Sequence, residues 1–335
     1  MRQIGCFISC APSGFFGEGL KNYGSEYMSE HIHILKDKTR LDELCRLFAT
    51  GLGMTERPYW EWRIFTPNGQ FMQPEAIVAE NEQGQLIGMC STLLEEYGEH
   101  KWKCVKLCDW VVHPDYRGKG IISKLYQFMY QRYKNQEFDF FLSFPNSQSY
   151  PIFQKLGYNE KVGVKIWSSQ QRLFMIKRPA KSMIIHGLEY RFTSHCPIQS
   201  FPLRPDRLVR TPEYMRWKYD KNPANSFQWL TVWNGTELIG YFVYAVTQGR
   251  LRRVITVYDW EFAFEAQDAF CQAVKLLEKQ GNGVNIWGQY GQKESLLLKA
   301  AGFQEKACGT HLMLKAISEK GYPDLLTLTR VDTDY

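Results

Sequence analysis

The stretch Cys108-Asp-Trp-Val-Val-His-Pro-Asp-Tyr-Arg-Gly-Lys-Gly-Ile-Ile122 decides how this 335-residue chain is read. An apolar strand, Val105–Val112, runs into a turn with two glycines and two cations, and an amphipathic helix follows. Ile121, Ile122, Leu125, Phe128 and Met129 form its apolar face, and the spacing predicts a helix from about Gly118 to Lys134. Gly118 and Gly120 lack the Cβ atoms that would keep a ligand away from the backbone. The first-turn amides of a helix have no intrahelical acceptor, and the helix dipole favours an anion there. With Arg117 and Lys119 adding charge, the turn suits a diphosphate. It is not Gly-x-x-x-x-Gly-Lys-Ser/Thr, which excludes a P-loop, and it lacks Gly-x-Gly-x-x-Gly. Taken alone, it would be explained as well by a surface turn with two glycines.

Working outward, His31–Leu35 alternates like a strand and Leu41–Leu52 has helical spacing. Ala76–Glu80 and Leu86–Leu94 read as an antiparallel pair. Phe138–Phe144 is a nearly continuous apolar strand, as expected for a buried central position. Asn146–Leu156 reads as a helix closed by Gly157. Short strands near Val164–Trp167 and Leu173–Ile176 finish this half. The order predicts an α/β (α+β layered) fold of mixed sheets with flanking helices and a short parallel element at the centre.

The second half repeats the first in order. Tyr59-x-x-Trp62-Arg63 echoes Tyr214-x-x-Trp217-Lys218, and Leu86-Ile-Gly88 echoes Leu238-Ile-Gly240. Asp109-Trp110 echoes Asp259-Trp260, and Gly157-Tyr158-x-Glu160 echoes Gly302-Phe303-x-Glu305. Gly88 to Asp109 is 21 residues against 19 from Gly240 to Asp259; Asp109 to Gly157 is 48 against 43 from Asp259 to Gly302. Four ordered matches at similar spacing predict an internal duplication: residues 1–27 as a disordered extension, 28–180 and 181–325 as the two units, and 326–335 as a tail.

Hydrophobic residues at 44% and charged residues at 23% mark a globular chain, and the net charge of +6 is scattered. It forms no basic stripe of the kind nucleic acid requires, so no nucleic-acid partner is expected. No apolar run reaches the 18 residues of a bilayer span, and the N-terminus has no signal-like core, so no membrane partner is expected. Nine cysteines with no Cys-x-x-Cys pair read as reduced thiols of a cytoplasmic protein. His31-x-His33 has no nearby acidic or Cys partner, so no metal is expected.

The joint pattern resembles the GNAT superfamily of acyl-CoA N-acyltransferases. That signature is a strand followed by Arg/Gln-x-x-Gly-x-Gly/Ala, which Arg117-Gly-Lys-Gly-Ile-Ile122 matches through Gly120. The second signature appears as Asn146-Ser-Gln-Ser149, Phe153 and Gly157-Tyr158. The resemblance covers about residues 31–178. It implies that backbone groups of Val111 and Val112 hold the pantetheine arm and polarise a thioester. It further implies that amides of Arg117, Gly118, Lys119, Gly120, Ile121 and Ile122 cradle the pyrophosphate, and that Asn146 touches the pantetheine or the departing sulfur. The implied reaction moves an acyl group from acetyl-CoA or another acyl-CoA directly to an amine. Two positions depart from the family pattern. Ile122 stands where Gly or Ala is usual, and Phe153 where a thiolate-protonating Tyr is frequent, leaving Tyr150 or Tyr158 as substitutes.

Such chemistry needs a neutral amine, and an alkylamine of pKa near 10.4 is neutral about once in a few thousand molecules at pH 7, a cost of roughly 4–5 kcal/mol. Asp109, on the strand leading to the acyl site, is the candidate base. The opposing reading is structural, because Asp259 keeps the same place in the copy without the glycine turn. His113 before Pro114 reads as a turn residue. In the second copy Trp260-Glu-Phe-Ala-Phe-Glu-Ala-Gln-Asp268 has three acids and no glycine, which predicts a single coenzyme site, in the first half. Trp217, Trp229, Trp233 and Trp260 are either lining of an acceptor pocket or core. The expected function is N-acyl, and foremost N-acetyl, transfer to a small-molecule amine, with amino sugars among the candidates. The alternatives are a non-catalytic acyl-CoA sensor and a Fem-type aminoacyl transferase.

Overall fold

The computed structural model describes residues 31–53, 56–70, 72–161, 164–169, 180–248, 252–324 and 326–330. The expected extension over residues 1–27 and the strand at Leu173–Ile176 lie outside them. Strands β1 (His31–Ile34), β2 (Glu75–Glu80), β3 (Leu86–Tyr97), β4 (Trp102–Val112), β5 (Phe140–Ser143), β6 (Asn159–Lys161) and β7 (Lys165–Ser168) come from the first half. The second half contributes β8 (Ser182–Ile185), β9 (Leu188–Thr193), β10 (Phe227–Asn234), β11 (Glu237–Gln248), β12 (Arg253–Phe262), β13 (Gly283–Gln289), β14 (Gln304–Ala307), β15 (Leu312–Ala316) and β16 (Leu328–Thr329). Helices α1 (Leu41–Leu52), α2 (Arg57–Trp60), α3 (Ile121–Lys134) and α4 (Tyr150–Lys155) accompany the first half, and α5 (Pro212–Met215), α6 (Gln267–Glu278) and α7 (Gln292–Ala300) the second. The layered α/β fold expected from the sequence is observed.

The two sheets do not divide at residue 180. The first has the order β1-β2-β3-β4-β5-β15-β6; the second runs β14-β7-β13-β12-β11-β10-β9-β8, with β16 added to β13. Each half therefore lends one strand to the other. β15 lies between β5 and β6, with Met313 opposite both Ser143 and Glu160. β7 lies between β13 and β14 in the same way. The unit boundary read from the sequence marks the duplication and is corrected for the sheets, because Trp167 and Met313 are each buried in the other half's core. Lys315 secures the lent β15: its ammonium donates to the Leu156 carbonyl (2.7 Å) and the Tyr126 hydroxyl (3.0 Å), and burial lowers its pKa.

The duplicated motifs meet on a pseudo-two-fold seam. After α2 and α5 the backbone widens into matching π-helical turns at Glu61–Phe65 and Arg216–Asp220. These present Trp62 and Trp217, whose rings stack with centroids 4.6 Å apart. Each indole donates to the other's carbonyl, at 2.8 Å from Trp62 and 3.4 Å from Trp217. Buried indoles thus keep their N–H groups satisfied while joining the halves. Gly88 and Gly240 answer to close packing: a Cβ would come within 2.7 Å of Ile121 in one case and 2.3 Å of Phe262 in the other.

Candidate active site

The parallel ladder between β4 and β5 is short. It runs from Cys104 opposite Phe140 to Leu107 opposite Ser143. β4 continues for five more residues, to Val112, alongside β3 alone among the described strands. A bulge lies in this continuation, where Cys90 faces both Asp109 and Trp110, and Asp109 takes a left-handed φ of 52°. A bulge adds twist and re-aims the strand. β4 and β5 therefore part like a V, with Val111 and Val112 on one arm and the turn at Asn146 beyond the other. The C-terminal end of α1 closes against this arm: at Gly51 a Cβ would come within 2.4 Å of Val111.

The glycine turn sits at the mouth of the V and is braced from several directions. His113 Nδ1 accepts from the Asp115 amide (3.3 Å) and starts a single 3-10 turn over Pro114–Tyr116, the turn role expected of it. Asn81 donates to the Tyr116 hydroxyl (3.0 Å), and the Lys119 ammonium lies 4.7 Å over the Tyr116 ring. The Arg117 guanidinium donates to the Gly51 carbonyl (3.0 Å) and the Val112 carbonyl (3.4 Å), so its side chain anchors the turn. Gly118 and Gly120 have φ of 76° and 81°, and a Cβ on either would meet nothing within 4 Å. Glycine is thus required there by conformation, and the turn is open on the side where a ligand would approach. The helix starts at Ile121, three residues later than expected, because these left-handed residues cannot be helical. No side chain caps it. Ile122 is partly buried against the core that includes Ile121 and Leu125, so its bulk packs under the helix.

On the other arm, Asn146 Oδ1 accepts from the amides of Gln148 and Ser149, both at 3.0 Å, and from Ser149 Oγ at 3.1 Å. This turn delays the expected helix from Asn146 to Tyr150. Phe153 is buried edge-to-face against Trp110 (6.4 Å) and Tyr158 (5.0 Å). Tyr158 is buried too, and its pKa is pushed far up by that burial. Tyr150 is half-buried at the first turn of α4. Its hydroxyl donates to Glu160 (2.5 Å), which raises the phenol's pKa, and accepts from Gln154 (2.9 Å).

Asp109 is placed differently from a free base. Its Oδ2 accepts from Ser91 Oγ (2.6 Å) and lies 3.3 Å from Nε of the buried Arg63. So placed, the carboxylate holds the bulge to β3 and to the π-helical turn, which favours the structural reading of Asp109 over the base. Asp259 does the same in the second half, bound by Arg210 through two contacts of 2.7 Å. Of the two readings of the tryptophans, core holds for Trp217, Trp229 and Trp260. Trp217, Trp229 and Trp260 are fully buried, the last within the second core, and Trp233 lies under Arg191 at 5.2 Å.

The second half has its own parting of strands, since β12 and β13 pair in parallel only from Val254 opposite Gly283 to Val257 opposite Ile286. There the chain fills the gap itself. β16 pairs with the end of β13, Leu328 opposite Gln289 and Thr329 opposite Gly288. Thr329 donates to Asp259 (3.0 Å), and Arg207 donates to the Trp260 carbonyl (3.0 Å) and to Glu294 (3.3 Å). Neither the C-terminal strand nor Arg207 was picked out by sequence, nor were Glu160 and His311, whose Nδ1 lies 2.6 Å from the Glu160 carboxylate. The seven described cysteines form no disulfide, and no described helix is long and apolar enough to cross a membrane.

Split parallel strands with an open strand-to-helix glycine turn at their mouth are the arrangement that the sequence resemblance implied. Residues 24–158 match the model of the Acetyltransferase (GNAT) family. A probable N-acyltransferase from Enterococcus faecalis superposes with a TM-score of 0.62 at 11% identity, covering 86% of this chain and 72% of that one. A GCN5-related N-acetyltransferase from Anabaena variabilis gives 0.62 at 14% identity, with 86% and 73% covered. A tandem GNAT protein from the clavulanic acid biosynthesis pathway gives 0.54 at 12% identity, with 87% and 99% covered. At such identities the likeness is one of fold. No curated protein matches the sequence at a significant level.

Proposed function

We propose that the protein transfers an acyl group, foremost acetyl, from acyl-CoA to the amine of a small molecule, using one coenzyme site in its first half. The carrying observation is that the β4–β5 parting leads into an open cradle at Gly118 and Gly120, while the equivalent gap in the second half is filled. The cradle amides and Lys119 would hold the pyrophosphate, and the main chain of Val111 and Val112 the pantetheine arm. Bound there, the acyl-CoA supplies a thioester whose carbonyl carbon the amine attacks. The Oδ1 of Asn146 is committed to its own turn. With Asp109 tied to Ser91 and Arg63, the amine's proton leaves to water. An amino sugar is one acceptor class to be tested.

Calorimetric titration with coenzyme A should show one site per chain. Acetyl-CoA with a panel of amino sugars, polyamines and amino acids should release thiol in the presence of at least one amine. Binding without release from any amine would instead identify an acyl-CoA-binding protein. No binding would overturn the coenzyme site itself.

A further inference from the structure

We infer that the Trp110 indole and the Ser143 hydroxyl are side-chain donors to the pantetheine arm of the coenzyme, which takes the place that a tyrosine of the chain takes in the second half. This deepens the single-coenzyme reading above and rests on it. The two halves share one register. Their parallel ladders end at Leu107 opposite Ser143 and at Val257 opposite Ile286. Trp110 and Trp260 each stand three residues beyond that last pair. In the second half the Trp260 indole donates to the Tyr290 hydroxyl (3.1 Å), which donates in turn to the Trp287 carbonyl (3.0 Å). Tyr290 lies four residues beyond Ile286, and its ring turns back against β13: a Cβ on Gly288 would come within 2.5 Å of its hydroxyl. The tryptophan of the filled gap is thus satisfied by a side chain of the same gap.

The first half keeps the indole and lacks the tyrosine. Four residues beyond Ser143 stands Ser147, short and exposed. Trp110 is buried, and its Nε1 has no hydrogen-bond partner among the described residues. Phe153, edge-to-face at 6.4 Å, offers that N–H no more than a weak π face. Ser143 is buried as well, and its hydroxyl has no partner among the described residues; the second half carries apolar Ile286 in its place. Strand alternation puts Ser143 on the face of Phe141, whose core Trp110 shares with Ile121 and Leu125 of α3. An arm reaching from the cradle at the start of α3 into the parting enters on this face. Burial strips these donors of water, and buried polar groups are paired as a rule. An indole N–H can only donate, so it takes an amide carbonyl; a hydroxyl takes a carbonyl or an N–H. The amides of pantetheine carry both. Trp60 is the internal control, since its indole N–H is equally without a partner but its ring stacks on Phe48 of α1, with centroids 3.8 Å apart.

The test uses full-length protein, coenzyme A, and adenosine 3′,5′-bisphosphate, which has the nucleotide end and no pantetheine. By calorimetry, Trp110→Phe is expected to raise the Kd for coenzyme A about tenfold, the worth of one hydrogen bond, and to leave the Kd for the bisphosphate within about twofold of wild type. Ser143→Ala is expected to show the same selectivity with a rise of roughly three- to fivefold. In proton–nitrogen correlation spectra of the wild type, the indole resonance that Trp110→Phe removes should move downfield when coenzyme A is added, while the one that Trp60→Phe removes stays in place. Should Trp110→Phe not fold, Ser143→Ala carries the calorimetry, and a downfield move of one of the ten indole resonances carries the spectrum. If the two side chains only pack the core, both ligands weaken alike or the indole resonance keeps its place on titration, and either result overturns the inference. A wild type that binds neither ligand sinks the coenzyme site itself; a wild type that binds coenzyme A, with Trp110→Phe binding it equally, sinks the indole assignment alone.

Discussion

The two strand partings of this molecule begin alike and end differently. In each half a parallel ladder of four residue pairs stops, and one strand runs on toward a turn and a helix. In the first half the turn is Arg117-Gly-Lys-Gly120, left-handed at both glycines and open outward. In the second half the turn carries Glu265 and leads to Asp268, and the gap is occupied by Leu328, Thr329 and the Arg207 guanidinium. Trp260 shows the replacement most directly, since its carbonyl, which the duplication places where Trp110 stands in the first half, accepts from an arginine of the same chain. A duplicated fold thus reproduces the gap, and the chemistry depends on what fills it. A gap filled by the chain's own residues becomes core, and that half is free to supply a strand, a seam and His311 to its neighbour.

The largest expected effect tests whether the paired aspartates have become equally structural. Asp259→Ala leaves Arg210 buried without its bidentate partner, and loss of one member of a buried pair costs about 3–5 kcal/mol. Tyr241 and Thr329, which also donate to Asp259, lose an acceptor as well. Asp109→Ala removes a longer contact to Arg63, at 3.3 Å, and should cost about half as much, with coenzyme A affinity retained. Urea unfolding of both variants checks this. Equal losses would erase the distinction between the halves. A tenfold fall in turnover for Asp109→Ala at unchanged stability would restore Asp109 as the base.

Next in size is the cradle. Gly120→Val forces a branched side chain into φ 81°, which costs about 1–2 kcal/mol for a residue with a Cβ, and it points methyl groups into the open side of the turn. Coenzyme A affinity should fall about a hundredfold, roughly 2.8 kcal/mol. Ala263→Val, at the exposed turn of the second half, should leave affinity unchanged. Calorimetry on the two variants decides it, and an affinity loss for the second-half variant would mean that the filled gap still takes part in binding.

These contrasts were legible in the sequence wherever a residue's role is local. Two glycines before an amphipathic helix read as an open turn, which is observed, and four ordered echoes read correctly as a duplication. Helix starts were misplaced by a few residues, because left-handed glycines and the Asn146 side-chain turn delay regular hydrogen bonding. The strand exchange was illegible: Lys165-Ile-Trp-Ser168 and Leu312-Met-Leu-Lys-Ala316 are short apolar runs, and period-two patterning says nothing about which sheet receives them. Glu160 and His311 were missed for the same reason, being 151 residues apart and joined only by that exchange. Of the two readings left open for the tryptophans, core is the one observed at Trp217, Trp229 and Trp260, since a large ring that satisfies its N–H inside the protein has no need of a cleft.

The smallest expected effect concerns pH and the filled gap. Glu261 stands where the first half has Val111, and burial raises its pKa, opposed by Arg207, Arg210 and Arg204. Its contacts to Arg204 and Arg207 are long, at 3.9 and 4.0 Å. A carboxyl whose folded pKa lies above its unfolded value binds its proton more tightly when folded. Its contribution to stability is therefore fully present below the unfolded value, near 4.5, and is lost as pH rises through the folded value. Glu261→Gln removes this titration and keeps the shape. The Tm of wild type relative to Glu261→Gln should be higher at pH 4.5 than at pH 7.5, by a few degrees at most. A difference that grows with pH instead would mean that the three arginines outweigh burial and hold Glu261 ionised as a working ion pair. The second gap would then be closed by charge as firmly as by the strand that enters it.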